Sequence, residues 1–126
     1  MIMTYDIGDW NLRVSEHFRA REFRCKDGTG RIVIDSQLVD YLEKIRAHFK
    51  RPVIINSAYR TKEHNTKVGG SKNSQHLLGK AADIVVQGIA PDDVYKYCCE
   101  IIGNNGGVGK YKTFTHIDVR GNKARW

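Results

Sequence analysis

The chain has 126 residues, 40% of them hydrophobic and 28% charged, with 21 Lys and Arg against 14 Asp and Glu for a net charge of +7. That size and balance describe one soluble domain (residues 1–126) with apolar residues enough for a core, and exclude a disordered chain. No window approaches the ~18 continuous apolar residues of a membrane span.

The positive charge favours an anionic partner such as nucleic acid, wall polymer or a membrane surface. The basic residues run singly from Arg13 to Arg125, with no dense block and no aromatic ladder, so nucleic acid is not expected. The start, Met1-Ile2-Met3-Thr4-Tyr5-Asp6, lacks the basic and apolar regions of a signal peptide. Synthesis in the cytoplasm, with any export by another route, is the expectation.

Ser15 is placed to cap a short helix through Phe23, with Phe18 and Phe23 as anchors and His17 at the surface. Lys26 to Gly30 reads as a turn. Asp35-Ser36-Gln37 opens the clearest helix, with Leu38, Tyr41, Leu42, Ile45 and Phe49 at helical spacing, and Arg51-Pro52 ends it. Val53 to Ser57 is a strand. A polar loop with Glu63, His64, Asn65, Gly69 and Gly70 then runs to Ser74, and loops of that length are usually functional or mobile.

Ala81 to Val86 is an apolar β-branched strand, opened by the charged Asp83. Pro91-Asp92-Asp93 starts a second helix with Val94, Tyr97, Cys98, Ile101 and Ile102 inward, closed by Gly103. Strands follow over Val108–Tyr111 and Phe114–Val119. The order predicts an α+β fold with a mainly antiparallel sheet and flanking helices. Cys25, Cys98 and Cys99 fit neither an even disulfide framework nor a CxxC metal pair, so none is expected to be a ligand.

Asp83 inside a strand needs a partner, because an unpaired buried charge is costly. His76 lies seven residues before it, and alternation over the last strand places Phe114, His116 and Asp118 on one face. His76, Asp83 and His116 supply the three ligands of an open zinc site, whose metal polarises a carbonyl and acidifies a water. The spacing alone also admits a plainer arrangement, in which His76 caps a turn, Asp83 pairs with an Arg and His116 is a satisfied half-buried histidine. A Ser/His/Asp hydrolase from Ser57 or Ser74 lacks the G-x-S-x-G elbow. Neither Gly69-Gly70 nor Gly106-Gly107 has the spacing of a phosphate loop.

Ser57-Ala58-Tyr59-Arg60-Thr61, Ser74-x-His76-x-x-Gly79-x-Ala81-x-Asp83 and Phe114-x-His116-x-Asp118 together resemble the zinc D-Ala-D-Ala peptidase family. That family includes wall carboxypeptidases and phage-type endolysins, and shares its fold with the hedgehog signalling domain. The resemblance runs from about residue 15 to residue 121. It implies a Zn2+ site on His76, Asp83 and His116, with Arg60 holding a substrate carboxylate or polarised carbonyl and Ser74 binding substrate. It implies a monomer that cuts D-amino-acid peptide bonds of the peptidoglycan stem at the cell wall, reached by phage-type release. One position departs from the pattern: Thr113 stands where many members carry an acidic base three residues before the last histidine. Asp118 is the nearest motif acid, either as the base or as the group holding His116 or Arg60, with Glu63 and His64 as outside candidates. The missing acid keeps open a hedgehog-like zinc domain that binds a partner without hydrolysis.

Overall fold

The computed structural model describes residues Met1–Trp126. Strand β1 (Ile2–Tyr5) pairs antiparallel with β2 (Ile32–Asp35), Ile2 opposite Asp35 and Tyr5 opposite Ile32. Between them, the helix expected from Ser15 does not form. The backbone N–H groups of Val14 and Ser15 both donate to Phe18 O, closing a tight turn, and Ser15 Oγ is bonded to Glu43 instead of capping. Of residues 15–23, only Ala20–Phe23 is helical, as a 3-10 turn. Phe18 and Phe23 are core anchors as expected, edge to face at 6.3 Å, and His17 sits at the surface against Glu43.

Helix α1 (Ser36–Phe49) is capped by Asp35, whose side chain accepts from Gln37 N. It ends at Lys50, in the left-handed region, just before Pro52. After β3 (Val53–Ser57), the segment expected to be an unstructured loop contains a short helix, α2 (Lys62–Lys67), capped by the Thr61 hydroxyl. Six polar residues carry no apolar stripe, so periodicity could not announce it. Then come β4 (Ala81–Val86), α3 (Pro91–Ile102), β5 (Gly107–Lys110), β6 (Thr115–Asp118) and β7 (Ala124–Arg125). β1, β2 and β7 lie outside the elements the sequence pattern marks. No helix is long and apolar enough to cross a membrane.

The main sheet runs β3-β4-β6-β5-β7, antiparallel except for the parallel β5–β7 pair. The architecture is the expected α+β arrangement. Alternation divides the sheet into two faces. Val53 and Ile55, Ala82, Ile84 and Val86, Val108 and Ile117 join a core of 22 buried residues shared with α1, α3 and the two phenylalanines. The opposite face carries a row that crosses four strands: Asp83 opposite His116, His116 opposite Gly109, and Ser57 opposite Asp83, brought there by a register shift between Ile55 and Ser57. Core packing on one face thus holds the polar row on the other, since a one-residue slip would exchange the faces.

Candidate metal centre

Asp83 and His116 are cross-strand neighbours, and His76 is brought to them by a tight 3-10 turn, Gln75–Leu78. Ser74 caps that turn, its Oγ accepting from His76 N at 3.2 Å. Gly79 ends it at φ 72°, and a Cβ there would lie 2.4 Å from Val33 O, so β2 packs directly on the turn. The Ser-x-His-x-x-Gly-x-Ala-x-Asp string is therefore a cap, an inward-facing imidazole, a left-handed stop and a strand entry in sequence.

His76, Asp83 and His116 are 3%, 8% and 7% exposed, and their ligand atoms lie within 4.8 Å of one another. Asp83 Oδ1 is 2.9 Å from His116 Nδ1, and Oδ2 is 3.3 Å from His76 Nε2. Each histidine is gripped on its outer nitrogen. His76 Nδ1 donates to Ala58 O at 2.6 Å, which leaves the Nε2 lone pair facing inward. His116 Nε2 is 2.8 Å from Asp118 Oδ2, leaving Nδ1 inward. Two imidazoles with their outer nitrogens engaged and one carboxylate, converging on a point, are the donor set and orientation that zinc takes. Of the plainer arrangement, the turn is capped by Ser74 and not by His76, while Asp83 does face an Arg and both nitrogens of His116 have partners.

Burial alone would raise the Asp83 carboxyl, but the His116 and His76 hydrogen bonds outweigh it and hold the group well below the usual range. His116 is raised for the reciprocal reason: burial works against its charge, and the bonds to Asp118 and Asp83 prevail.

Arg60 Nη2 lies 3.6 Å from Asp83 Oδ2. Its Nε donates to Ser57 Oγ and its Nη1 to Asn65 Oδ1, both at 3.2 Å. Asn65 is buried on α2 and itself donates to Ser71 O at 2.8 Å. The partner of Arg60 is thus the central carboxylate of the cluster and not a loop acid.

Asp118 takes one of its anticipated settings, holding His116 at 2.8 Å. Its side chain is fully buried and does not meet Arg60. It accepts from His116 Nε2, from Gly107 N at 2.9 Å, and from Arg120 Nε at 2.9 Å and Nη2 at 2.7 Å. Burial opposes its charge, but the His116 and Arg120 bonds hold its carboxyl well below the usual range.

The cluster floors a cleft of about 530 Å³, walled by Arg60 and Ser74 on one side and by Tyr111, Phe114, Arg120 and Trp126 on the other. The Trp126 ring centroid is 5.0 Å from that of His116, with the Arg120 guanidinium 5.2 Å over the indole. Trp126 Nε1 donates to Tyr111 Oη at 2.9 Å, and Tyr111 stacks on Phe114. Gly109 makes room, since a Cβ there would lie 2.5 Å from the indole nitrogen. Sequence reasoning missed this wall. The signal for it was Gly107 and Gly109 at alternate strand positions, which marks a close approach of other groups. Thr113, Glu63 and His64 do not line the cleft, and Asp83 is the one carboxylate that does. Cys98 is buried in α3, its thiol pushed up to about 12 by burial and then by Cys99.

The sequence model of the family described as Peptidase M15 matches residues 16–118. The peptidoglycan L,D-endopeptidase MepK of Escherichia coli K12 is 33% identical over 95 residues, covering 68% of this chain and 51% of MepK. The MepK proteins of Escherichia coli O157:H7 and Shigella flexneri match to the same extent. The chain spans about half the length of these curated relatives. The family match contains His76, Asp83, His116 and Asp118, and ends before Arg120 and Trp126.

Proposed function

This chain belongs to the peptidase M15 family, and from that premise we propose that it is a zinc peptidase acting on the stem peptides of bacterial peptidoglycan. The observation that carries the reading is the convergence of His76, Asp83 and His116, outer nitrogens engaged, on the floor of a cleft that also holds Arg60. Zinc held by these three residues supplies a Lewis acid for the scissile carbonyl and for the attacking water.

The chain's own residues do the rest. Arg60, fixed through Ser57 and Asn65, presents its guanidinium beside Asp83 to a substrate carboxylate or to the oxygen that gains charge in the reaction. Because its rotamer is already held, little side-chain entropy is lost when substrate arrives. Asp118 serves as a positioning residue: walled off from the cleft, it keeps the His116 proton on Nε2 and Nδ1 free as a ligand atom. Ser74 holds the His76 turn and lines the substrate side. Trp126, Tyr111 and Phe114 offer an apolar wall for the stem-peptide side chains. The positive net charge suits an anionic wall.

The likeness to MepK favours an internal L,D bond over a terminal D-Ala-D-Ala bond. A carboxypeptidase or phage-lysis role has no further support. One observation favours a second reading, a zinc domain that binds wall fragments without cutting: no carboxylate other than Asp83 lines the cleft. Mass spectrometry of purified peptidoglycan after incubation with the zinc-loaded chain separates the two. New termini at a stem-peptide bond, lost with chelator and restored by zinc, are expected. Intact stem peptides with the metal bound would overturn the peptidase reading.

A further inference from the structure

Outside the cleft, a second set of metal-ligating side chains converges. Cys25, Asp27 and His64 present a thiol, a carboxylate and an imidazole whose ligand atoms all lie within 4.8 Å of one another. They come from the Cys25–Gly28 turn and from α2, and Thr61 knits the two together. Its hydroxyl donates to Asp27 Oδ2 at 2.7 Å and accepts from His64 N at 3.2 Å, while its backbone N–H donates to Cys25 Sγ at 3.4 Å. Cys25 is 1% exposed, His64 half-buried and Asp27 at the surface, so sulfur forms the floor of a group open to solvent on one side.

We propose that Cys25, Asp27 and His64 form a second zinc site, distinct from the cleft. A thiolate, an imidazole and a carboxylate are the three donor types that zinc accepts together. Each is suited to the task by its surroundings. The Thr61 N–H is aimed at Sγ and fixes the position of the sulfur. The Asp27 carboxylate is held by Thr29 N at 2.9 Å on Oδ1 and by the Thr61 hydroxyl on Oδ2. Tetrahedral zinc places its donors roughly 3.3–3.6 Å apart. Asp27 and His64, the two outer groups, close that gap by side-chain rotation onto the fixed sulfur.

The site's position gives it a consequence. His64 precedes Asn65, whose side chain holds Arg60 Nη1, and Thr61 follows Arg60 in the chain. A metal fastening the Cys25–Gly28 turn to α2 therefore stiffens the support of the one cation beside the cleft carboxylate. Its loss loosens Arg60 without touching His76, Asp83 or His116.

The cleft site contains no sulfur, which makes the two sites separable with the metal alone as probe. The full chain is exchanged into Co2+ and its near-ultraviolet spectrum recorded, and Zn2+ per chain is counted by elemental mass spectrometry. The wild type is expected to bind two metals and to show a thiolate-to-cobalt charge-transfer band. His76→Ala should keep the band and lose one metal, whereas Cys25→Ser and His64→Gln should each lose the band and keep one metal. Cys25 is buried and its replacement could unfold the chain, so the change at half-buried His64, His64→Gln, is the deciding variant, with circular dichroism confirming its fold. One metal and no band in the wild type, or a band that persists in His64→Gln, would overturn the second site. Either result leaves the cleft reading standing, because that rests on the metal lost in His76→Ala.

Discussion

Asp118→Asn tests how the cleft handles its protons. The carboxylate accepts from His116 Nε2 and Arg120 Nη2 through Oδ2 and from Gly107 N and Arg120 Nε through Oδ1. Asparagine fills the same space but turns one of these oxygens into an NH2. With its carbonyl kept toward Gly107, the amide confronts the N–H groups of His116 and Arg120, donor against donor. A hydrogen bond to a charged group contributes about 1.5–3 kcal/mol, so loss of the His116 bond corresponds to roughly 10–100-fold in metal affinity. Zinc affinity is read by competition with a chelator, and turnover on a stem-peptide substrate is read at saturating zinc. The expected result is weakened zinc binding, with most activity recovered when zinc is saturating. Gly107→Ala should do the same, because the added Cβ would lie 2.5 Å from Asp118 Oδ2. A positioned base is worth about 10²–10⁴-fold. A loss of that size at full zinc occupancy and unchanged affinity would refute the positioning role and return Asp118 to direct proton transfer.

Arg60→Lys keeps the charge but cannot reach Ser57, Asn65 and Asp83 with one planar fork, so turnover should fall about 10–100-fold with zinc content unchanged. Unchanged turnover would make Arg60 a purely structural ion pair. Gly79→Ala combines a left-handed backbone, at about 1–2 kcal/mol for a residue with a Cβ, with a 2.4 Å approach to Val33 O. A denaturant midpoint that did not move would show that the His76 turn is not held as described. The Glu43 carboxyl is opposed by burial but lowered by bonds from Ser15 and His17, so its folded pKa lies below its unfolded value. Its contribution to stability is present above the unfolded glutamate value of about 4.3 and is lost as pH falls through the folded one. Glu43→Gln should therefore be less stable than wild type near pH ~7, and the difference should vanish near pH ~2.

Several features were legible in the chain itself because they are local. The spacing of Leu38, Tyr41, Leu42 and Ile45 defines α1, and Pro91 and Gly103 bracket α3. His76 and Asp83 belong to one turn-and-strand string, and alternation alone puts His116 and Asp118 on one face. The α+β order follows from such patterns of period 2 and 3.6, whereas His76, Asp83 and His116 stand out as a set through the family resemblance. Other features depend on which distant segments meet. Ser15 stands where a helix cap would, yet it is drawn to Glu43, and the expected helix is replaced by a tight turn. Asp118 is recognisable as an acid near the ligand, but only the approach of Gly107 and Arg120 makes it an enclosed anchor. Trp126 reaches His116 because β7 lies parallel to β5 and Gly109 leaves room for the ring. Cys25, Asp27 and His64 match no ligand spacing, and the loop that follows β3 brings them together through Thr61. Periodicity records which way a side chain leaves its own backbone. Which group it then meets is set by sheet register and by the packing of loops, and those are properties of the whole chain.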